Sequence, residues 1–288
     1  MNIFRTILAL TATISLCTHT QAQDRGLHNN SKKFVPVLQI TSADISNIQE
    51  MHRTWVSAII HVPTSKGRSK KLRAGALSAW SPRTGGQLPA VVYLHGCSGI
   101  WEGTHRRVRM MAKLGFVTAA PASMARQKYA QSCDVQTNTG GMHRNVLKMR
   151  RHDAAYAVAQ LRRLPFVDPN RIVIMGLSEG GITTATLRPQ PGEVARIIEG
   201  WTCHAGWPEY KGLKAKSSTP VLSLLGKNDP WFQEPYLRGD CSRFMRPNNG
   251  SRSVVYNSGV LGAEHELLDH SHPRKEVVRF LSEQGLIQ

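Results

Sequence analysis

Apolar residues fall along this chain in two rhythms. Positions 89–94, 172–175 and 220–225 are nearly unbroken apolar runs, the pattern of strands buried on both faces of a parallel sheet. Segments 116–120, 195–201 and 253–256 predict further strands. Between these runs the spacing changes. Val108, Met111, Ala112 and Leu114 in 101–114, and Ala154, Ala155, Val158 and Leu161 in 143–164, recur at helical intervals, which predicts two helices. Gly115 closes the first and the stretch 165–170 stops the second. Helices are also expected at 182–187, 231–244 and 274–286. Near the start, 54–62 and 72–80 predict antiparallel strands joined by a basic turn around Gly67. Strands alternating with helices predict one α/β domain, a mostly parallel central sheet with helices on both faces. The loop 121–142 carries Arg126, Tyr129, Cys133, Gly140 and Gly141, and is too long to be a mere connector.

The strand at 172–175 runs into Gly176-Leu177-Ser178-Glu179-Gly180-Gly181. A serine exposed at a sharp strand-to-helix turn needs small neighbours, because a side chain at Gly176 or Gly180 would collide with adjoining backbone. Ser178 is therefore a candidate nucleophile. A serine hydroxyl needs a base to take its proton, and the base needs an acid to hold its tautomer. Asp229 follows the strand 220–225 at the sheet's carboxyl edge, where Ser178 also emerges. His265 lies between the last strand and the last helix. Alternatives stay open: His270 and His272 for the base, Asp240 for the acid, and a helix-capping role for Asp229 before Pro230. His95, in the Gly-containing loop after 89–94, is expected to bond the loop backbone. Trp101, Trp201, Trp207 and Trp231 are candidates for the wall of an apolar substrate pocket or for plain core. Arg126 is a candidate partner for a substrate carboxylate, or a surface arginine.

Charge and cysteines place the chain without changing its chemistry. Residues 1–22 hold a single charge, Arg5, an apolar stretch over 7–16, and Thr20-Gln21-Ala22. That is the pattern of a cleaved secretory signal, too short in its apolar part to span a bilayer. A polar leader at 23–50 and a catalytic domain at 51–288 complete the expected organisation. Without Cys17, four cysteines remain, and in an oxidising compartment they allow three pairings. Cys97–Cys133 and Cys203–Cys241 are favoured, because the first two follow successive strands near Ser178 and the others flank Asp229. No Cys-x-x-Cys spacing supports a zinc site. A periplasmic or secreted protein follows, with no integral membrane segment. The formal charge of +18 favours association with anionic envelope surfaces. Its basic residues are scattered rather than gathered into an arm with aromatics, which argues against dedicated nucleic-acid binding.

The order Ser178, Asp229, His265, with His95-Gly96-Cys97, Gly226-Lys227-Asn228-Asp229 and Gly262-Ala263-Glu264-His265, resembles the α/β-hydrolase fold and within it the dienelactone-hydrolase-like group, from about 90 to 286. The resemblance implies Ser178 as nucleophile, His265 as general base and later acid, and Asp229 as orienting carboxylate. It also implies an oxyanion hole from the backbone N–H groups of Cys97 and Glu179, and no cofactor or metal. Well-characterised dienelactone hydrolases carry cysteine where this chain has Ser178, which turns the expectation towards a general ester or lactone hydrolase acting through an acyl-enzyme. A peptidase or acyltransferase on the same triad, and a non-catalytic basic protein binding polyanions, are the rival expectations.

Overall fold

The computed structural model describes residues 34–36, 39–65, 67–82 and 85–287. The expected signal, its cleavage site, Cys17 and the first part of the leader lie outside the described residues. Eight strands form one sheet in the order β10-β9-β8-β7-β3-β4-β1-β2. They are β1 Ile59–Ser65, β2 Arg68–Leu72, β3 Leu88–Leu94, β4 Val117–Ala120, β7 Val167–Leu177, β8 Glu193–Glu199, β9 Val221–Gly226 and β10 Arg252–Tyr256, with a small separate hairpin of β5 Cys133–Asp134 and β6 Thr139–Gly140. From β4 through β10 all pairings are parallel, and β1 runs antiparallel to both β4 and β2.

The period of two along the central strands decides which face each side chain enters. On β7, Val173, Met175 and Leu177 join one core, and Ile172 and Ile174 the opposite one; on β3, Val91 and Tyr93 divide from Ala90, Val92 and Leu94 in the same way. The first core is closed by Val108 and Met111 of α4 (Glu102–Lys113) and by Val277, Phe280 and Leu281 of α8 (Ser271–Glu283). The second is closed by Ala154, Ala157, Val158 and Leu161 of α5 (Arg144–Arg162) and by Trp55 of α2 (Ile48–Val56). The short α6 (Glu179–Thr186) directly follows β7.

Three expectations are corrected. Residues 54–56 end a helix rather than begin a strand, because Asn47 caps α2 through its side-chain oxygen and Trp55 turns into the core; the expected leader boundary at 51 thus falls inside α2, which follows a capped first turn, α1 (Ser42–Ile45). Of the strand expected over 72–80 only Leu72 is in a strand, as the last residue of β2; the rest turns into a short helix, α3 (Ala74–Leu77), and the partner of β1 is the polar edge strand β2. Residues 231–244 form three separate 3₁₀ turns, Pro230–Phe232, Pro235–Leu237 and Ser242–Phe244, in place of one helix. Pro235, which lacks an N–H, and Gly239 at φ 124° interrupt any continuous α-helical ladder there. The helix after β10 is α7 (Gly259–Gly262), and the loop beyond it leads to α8.

Phe280 is fully buried where α8 covers the sheet. Replacing it with alanine is expected to lower unfolding free energy by about 3–5 kcal/mol, read as a fall in the urea midpoint at unchanged slope.

Candidate active site

The carboxyl edge of the sheet gathers the candidate residues because β7, β8 and β9 all point there. Ser178 stands between β7 and α6 at φ 57° and ψ −121°, a conformation that non-glycine residues rarely adopt. Its neighbours must lack side chains: a methyl group at Gly176 would lie 2.3 Å from the carbonyl oxygen of Gly180, and one at Gly180 would lie 2.0 Å from that of Leu94. The Ser178 N–H donates to the Glu199 carbonyl at 2.9 Å. Gly200, the next residue, has φ 59° and packs on His265, since a methyl there would sit 2.8 Å from the His265 carbonyl oxygen and 3.1 Å from its Cε1. The elbow and the histidine loop are thus held by one short stretch at the end of β8.

Asp229 is fully buried and serves with both oxygens. Oδ2 lies 2.6 Å from Nδ1 of His265, and Oδ1 accepts the Trp231 N–H at 3.0 Å. One oxygen caps the 3₁₀ turn at Pro230–Phe232 and the other bonds the imidazole of His265. The Asp229 and His265 loops are stitched by the Asn228 N–H donating to the Gly262 carbonyl at 2.7 Å. Across the ring, Nε2 of His265 is buried with no hydrogen-bond partner among the described residues. The rivals point elsewhere: His270 contacts Glu264 at 3.0 Å, His272 lies edge-on to Tyr256, and Asp240 accepts the Ser242 N–H.

Beside Ser178 opens a cavity of about 290 Å³, walled by Trp201, Trp207, Tyr210, Trp231, Phe232 and Tyr236. Trp231 stacks on the His265 ring at 5.3 Å between centroids, and Phe232 lies at 5.7 Å. Cys97 and Glu179 also line the cavity, and neither backbone N–H forms a hydrogen bond within the described residues. Two disulfides, Cys97–Cys133 and Cys203–Cys241, with Cα separations of 6.0 and 4.9 Å, tie the surrounding loops. The first joins the loop after β3 to the β5–β6 hairpin, whose Gly140 and Gly141 face the cavity.

Behind the loop, His95 is buried and neutral. Its Nδ1–H donates to the Gly96 carbonyl at 2.7 Å and its Nε2 accepts the Ser123 N–H at 3.2 Å. Burial, with the nearby Arg150 guanidinium, holds its pKa down to about 3.

Among the described residues no group of three or more His, Cys, Asp or Glu side chains could hold a metal ion. No helix there is long and apolar enough to cross a membrane.

A model described as the dienelactone hydrolase family matches residues 75–260. The chain belongs to the dienelactone hydrolase family. No curated protein matches it. Among solved structures it is similar to a thermophilic esterase of the planctomycete Thermogutta terrifontis with propionate bound, at 18% identity and a TM-score of 0.50, over 80% of this chain and 90% of that one. It is likewise similar to a protein named m3DLH, at 17% identity and a TM-score of 0.50, over 80% and 99%. A dienelactone hydrolase-like promiscuous phosphotriesterase, P91, from metagenomic libraries follows at 16% identity and a TM-score of 0.48, over 80% and 99%. The first two likenesses agree with the α/β-hydrolase fold of a largely parallel sheet.

Two residues expected at the substrate lie elsewhere in this dienelactone hydrolase-family chain. Arg126 is completely buried, bonded to Asp153 at 2.6 Å and to the carbonyls of Asp44 and Ile45, so it ties α1 to α5. Trp101 precedes α4, with its ring over Gly103 and Arg106 against it at 5.4 Å, and does not line the cavity. Sequence reasoning missed Arg150, Tyr210, Phe232 and Tyr236. Arg150 sits on the helix face that carries Leu147 and Ala154, a position at which a charged residue signals a buried partner.

Arg126→Met strands the Asp153 carboxylate in the core and is expected to cost about 3–5 kcal/mol of stability while leaving KM for any ester unchanged; chemical denaturation and initial rates check the two halves. A second prediction concerns the histidine loop. Glu266, beside His265, is held at a pKa of about 7 by burial first, and by Glu199 and Asp269, against the opposing pull of Arg107 and His265. The folded state keeps this proton up to about pH 7, whereas the ordinary glutamate value is 4.5. Its stabilising contribution is therefore complete below pH 4.5 and lost as pH rises to about 7. Melting curves between pH 4 and 8 are expected to show this decline in the wild type and a flatter profile in Glu266→Gln.

Proposed function

We propose that the protein is a serine hydrolase that cleaves a carboxylic ester or lactone through an acyl-enzyme. The observation that carries the reading is the Asp229–His265 pair, whose outer nitrogen bonds no described residue, at the same sheet edge as a serine on a strained elbow that is tied to Glu199, the residue before the glycine on which His265 packs. In this scheme His265 Nε2 takes the proton of Ser178 as its Oγ attacks the carbonyl carbon. Asp229 holds the tautomer in which Nδ1 carries the other proton, and stabilises the imidazolium. The negative oxygen of the tetrahedral intermediate accepts from the N–H groups of Cys97 and Glu179, the first in a loop pinned by a disulfide and the second at the start of α6. Collapse expels the alcohol oxygen, which His265 protonates. Water, deprotonated by His265, then attacks the acyl-enzyme and releases the acid and Ser178.

The aromatic walls of the cavity suit an uncharged, apolar group of the substrate. Membership of the dienelactone hydrolase family supports hydrolysis, and serine in place of cysteine supports simple esters over dienelactone. Two disulfides support export to the periplasm or beyond. The charge of +18 supports loose association with anionic envelope surfaces.

A fluorophosphonate is expected to modify Ser178, located by peptide mapping, and short esters to turn over. Ser178→Ala is expected to lower kcat by about a million-fold with an unchanged melting temperature; activity within tenfold of wild type would overturn the assignment.

A further inference from the structure

An oxyanion hole needs two N–H groups held at a fixed spacing, yet here they come from separate elements: Cys97 from the loop after β3 and Glu179 from the first turn of α6. One side chain reaches both. Arg150, from α5, is buried to within 1%. Its Nη1 donates to the Glu179 carboxylate oxygen Oε2 at 2.7 Å and to the Gly96 carbonyl at 3.3 Å, and its Nη2 donates to the His95 carbonyl. The two carbonyls belong to the residues immediately before Cys97, and the carboxylate belongs to the residue that would supply the second N–H.

We propose that Arg150 is the positioning residue of the oxyanion hole, a single buried guanidinium that locks the Cys97 and Glu179 N–H groups into one geometry. The proposal rests on the serine-hydrolase reading above. Three features fit this role rather than simple core filling. The guanidinium is planar and rigid, so donors on two nitrogens fix the separation of the groups that accept from them. Those groups are backbone carbonyls of the loop itself, so a shift of the clamp moves the Cys97 amide directly. Its charge also neutralises the Glu179 carboxylate, which would otherwise oppose the negative oxygen that forms close to that residue's own backbone N–H. His95 adds a second hold from the same side, donating to the Gly96 carbonyl, but it does not touch Glu179.

The test measures kcat, KM, thermal stability and the affinity of a trifluoromethyl ketone, which mimics the tetrahedral intermediate, for wild type, Arg150→Met, Arg150→Lys and Arg126→Met. Arg126 is an equally buried, ion-paired arginine in the α1–α5 contact and controls for stability. The expected result is a fall in kcat of about 10²–10³ for Arg150→Met, the range for losing one oxyanion donor. KM should stay within threefold, ketone affinity should fall in parallel with kcat/KM, and Arg150→Lys should recover part of the loss. Arg126→Met should lose comparable thermal stability and keep its kcat. Should Arg150→Met fail to fold, the lysine variant carries the test by the same comparison. A kcat within threefold of wild type in the folded Arg150 variants would overturn the clamp while leaving the hydrolase reading intact. A wild-type protein that neither turns over esters nor reacts with fluorophosphonate would overturn both.

Discussion

The structure depends on how closely α6 approaches the end of β3. With glycine at 180, the first turn of the helix comes so near that any Cβ would lie 2.0 Å from the Leu94 carbonyl oxygen and 2.7 Å from that of His95. This approach puts Ser178 next to Gly96, where even a methyl would stand 3.6 Å from the serine Cβ. It brings the loop amide of Cys97 and the helix-start amide of Glu179 to the same cavity. Widening that contact by one methyl group would separate Ser178 from both amides. The strained backbone at Ser178 is held because β7 is buried on both faces and cannot relax outwards.

Around this contact the molecule places ion pairs where hydrocarbon would be the cheaper filling. Arg107 lies almost fully buried against Glu199, at 2.7 Å from Nε to Oε2, and also reaches Asp269 at 2.9 Å. Glu199 in turn accepts the Leu268 N–H at 2.7 Å. The end of β8, the middle of α4 and the loop after His265 are therefore fastened by one charge network. Buried pairs of this kind add little net stability over apolar packing. Their value here is directional: a salt bridge fixes the angle and register of a loop that apolar contacts alone would leave free to slide.

The cavity walls are secured in a different way. Most lining rings come from the irregular stretches 201–210 and 231–237, which have no sheet or long helix to hold them. Cys203–Cys241 joins the first stretch to the residues just after the second, and Cys97–Cys133 fastens the β5–β6 hairpin to the loop after β3. Edge contacts between Trp201 and Phe232, and between Trp207 and Tyr210, then set the rings against each other. Covalent staples and aromatic packing thus replace secondary structure where the substrate would lie.

Much of this was legible in the sequence for identifiable reasons. Short, nearly unbroken apolar runs fit strands buried on both faces, so 89–94, 172–175 and 220–225 announced the centre of the sheet. The glycines around Ser178 announced the elbow, because steric exclusion is a local property of the chain. Other features were not local. The helix over 48–56 is divided in the sequence between a leader ending at 50 and a strand beginning at 54, because its stability comes from Trp55 entering the core. The break-up of 231–244 into 3₁₀ turns follows from Pro235 and Gly239, in a stretch that a disulfide ties to Cys203, 38 residues away. Arg126 stands in a loop and Arg150 beside Arg151 on a helix, and neither setting names its partner. One meets Asp153 and the carbonyls of α1, while the other meets Glu179 and the loop after β3. The chain by itself determined the order of strands and helices and the chemistry available at the turns, since sterics and periodicity act over a few residues. Only the tertiary structure decided which charges became partners and which rings faced the cavity, because burial is set by elements far apart along the chain.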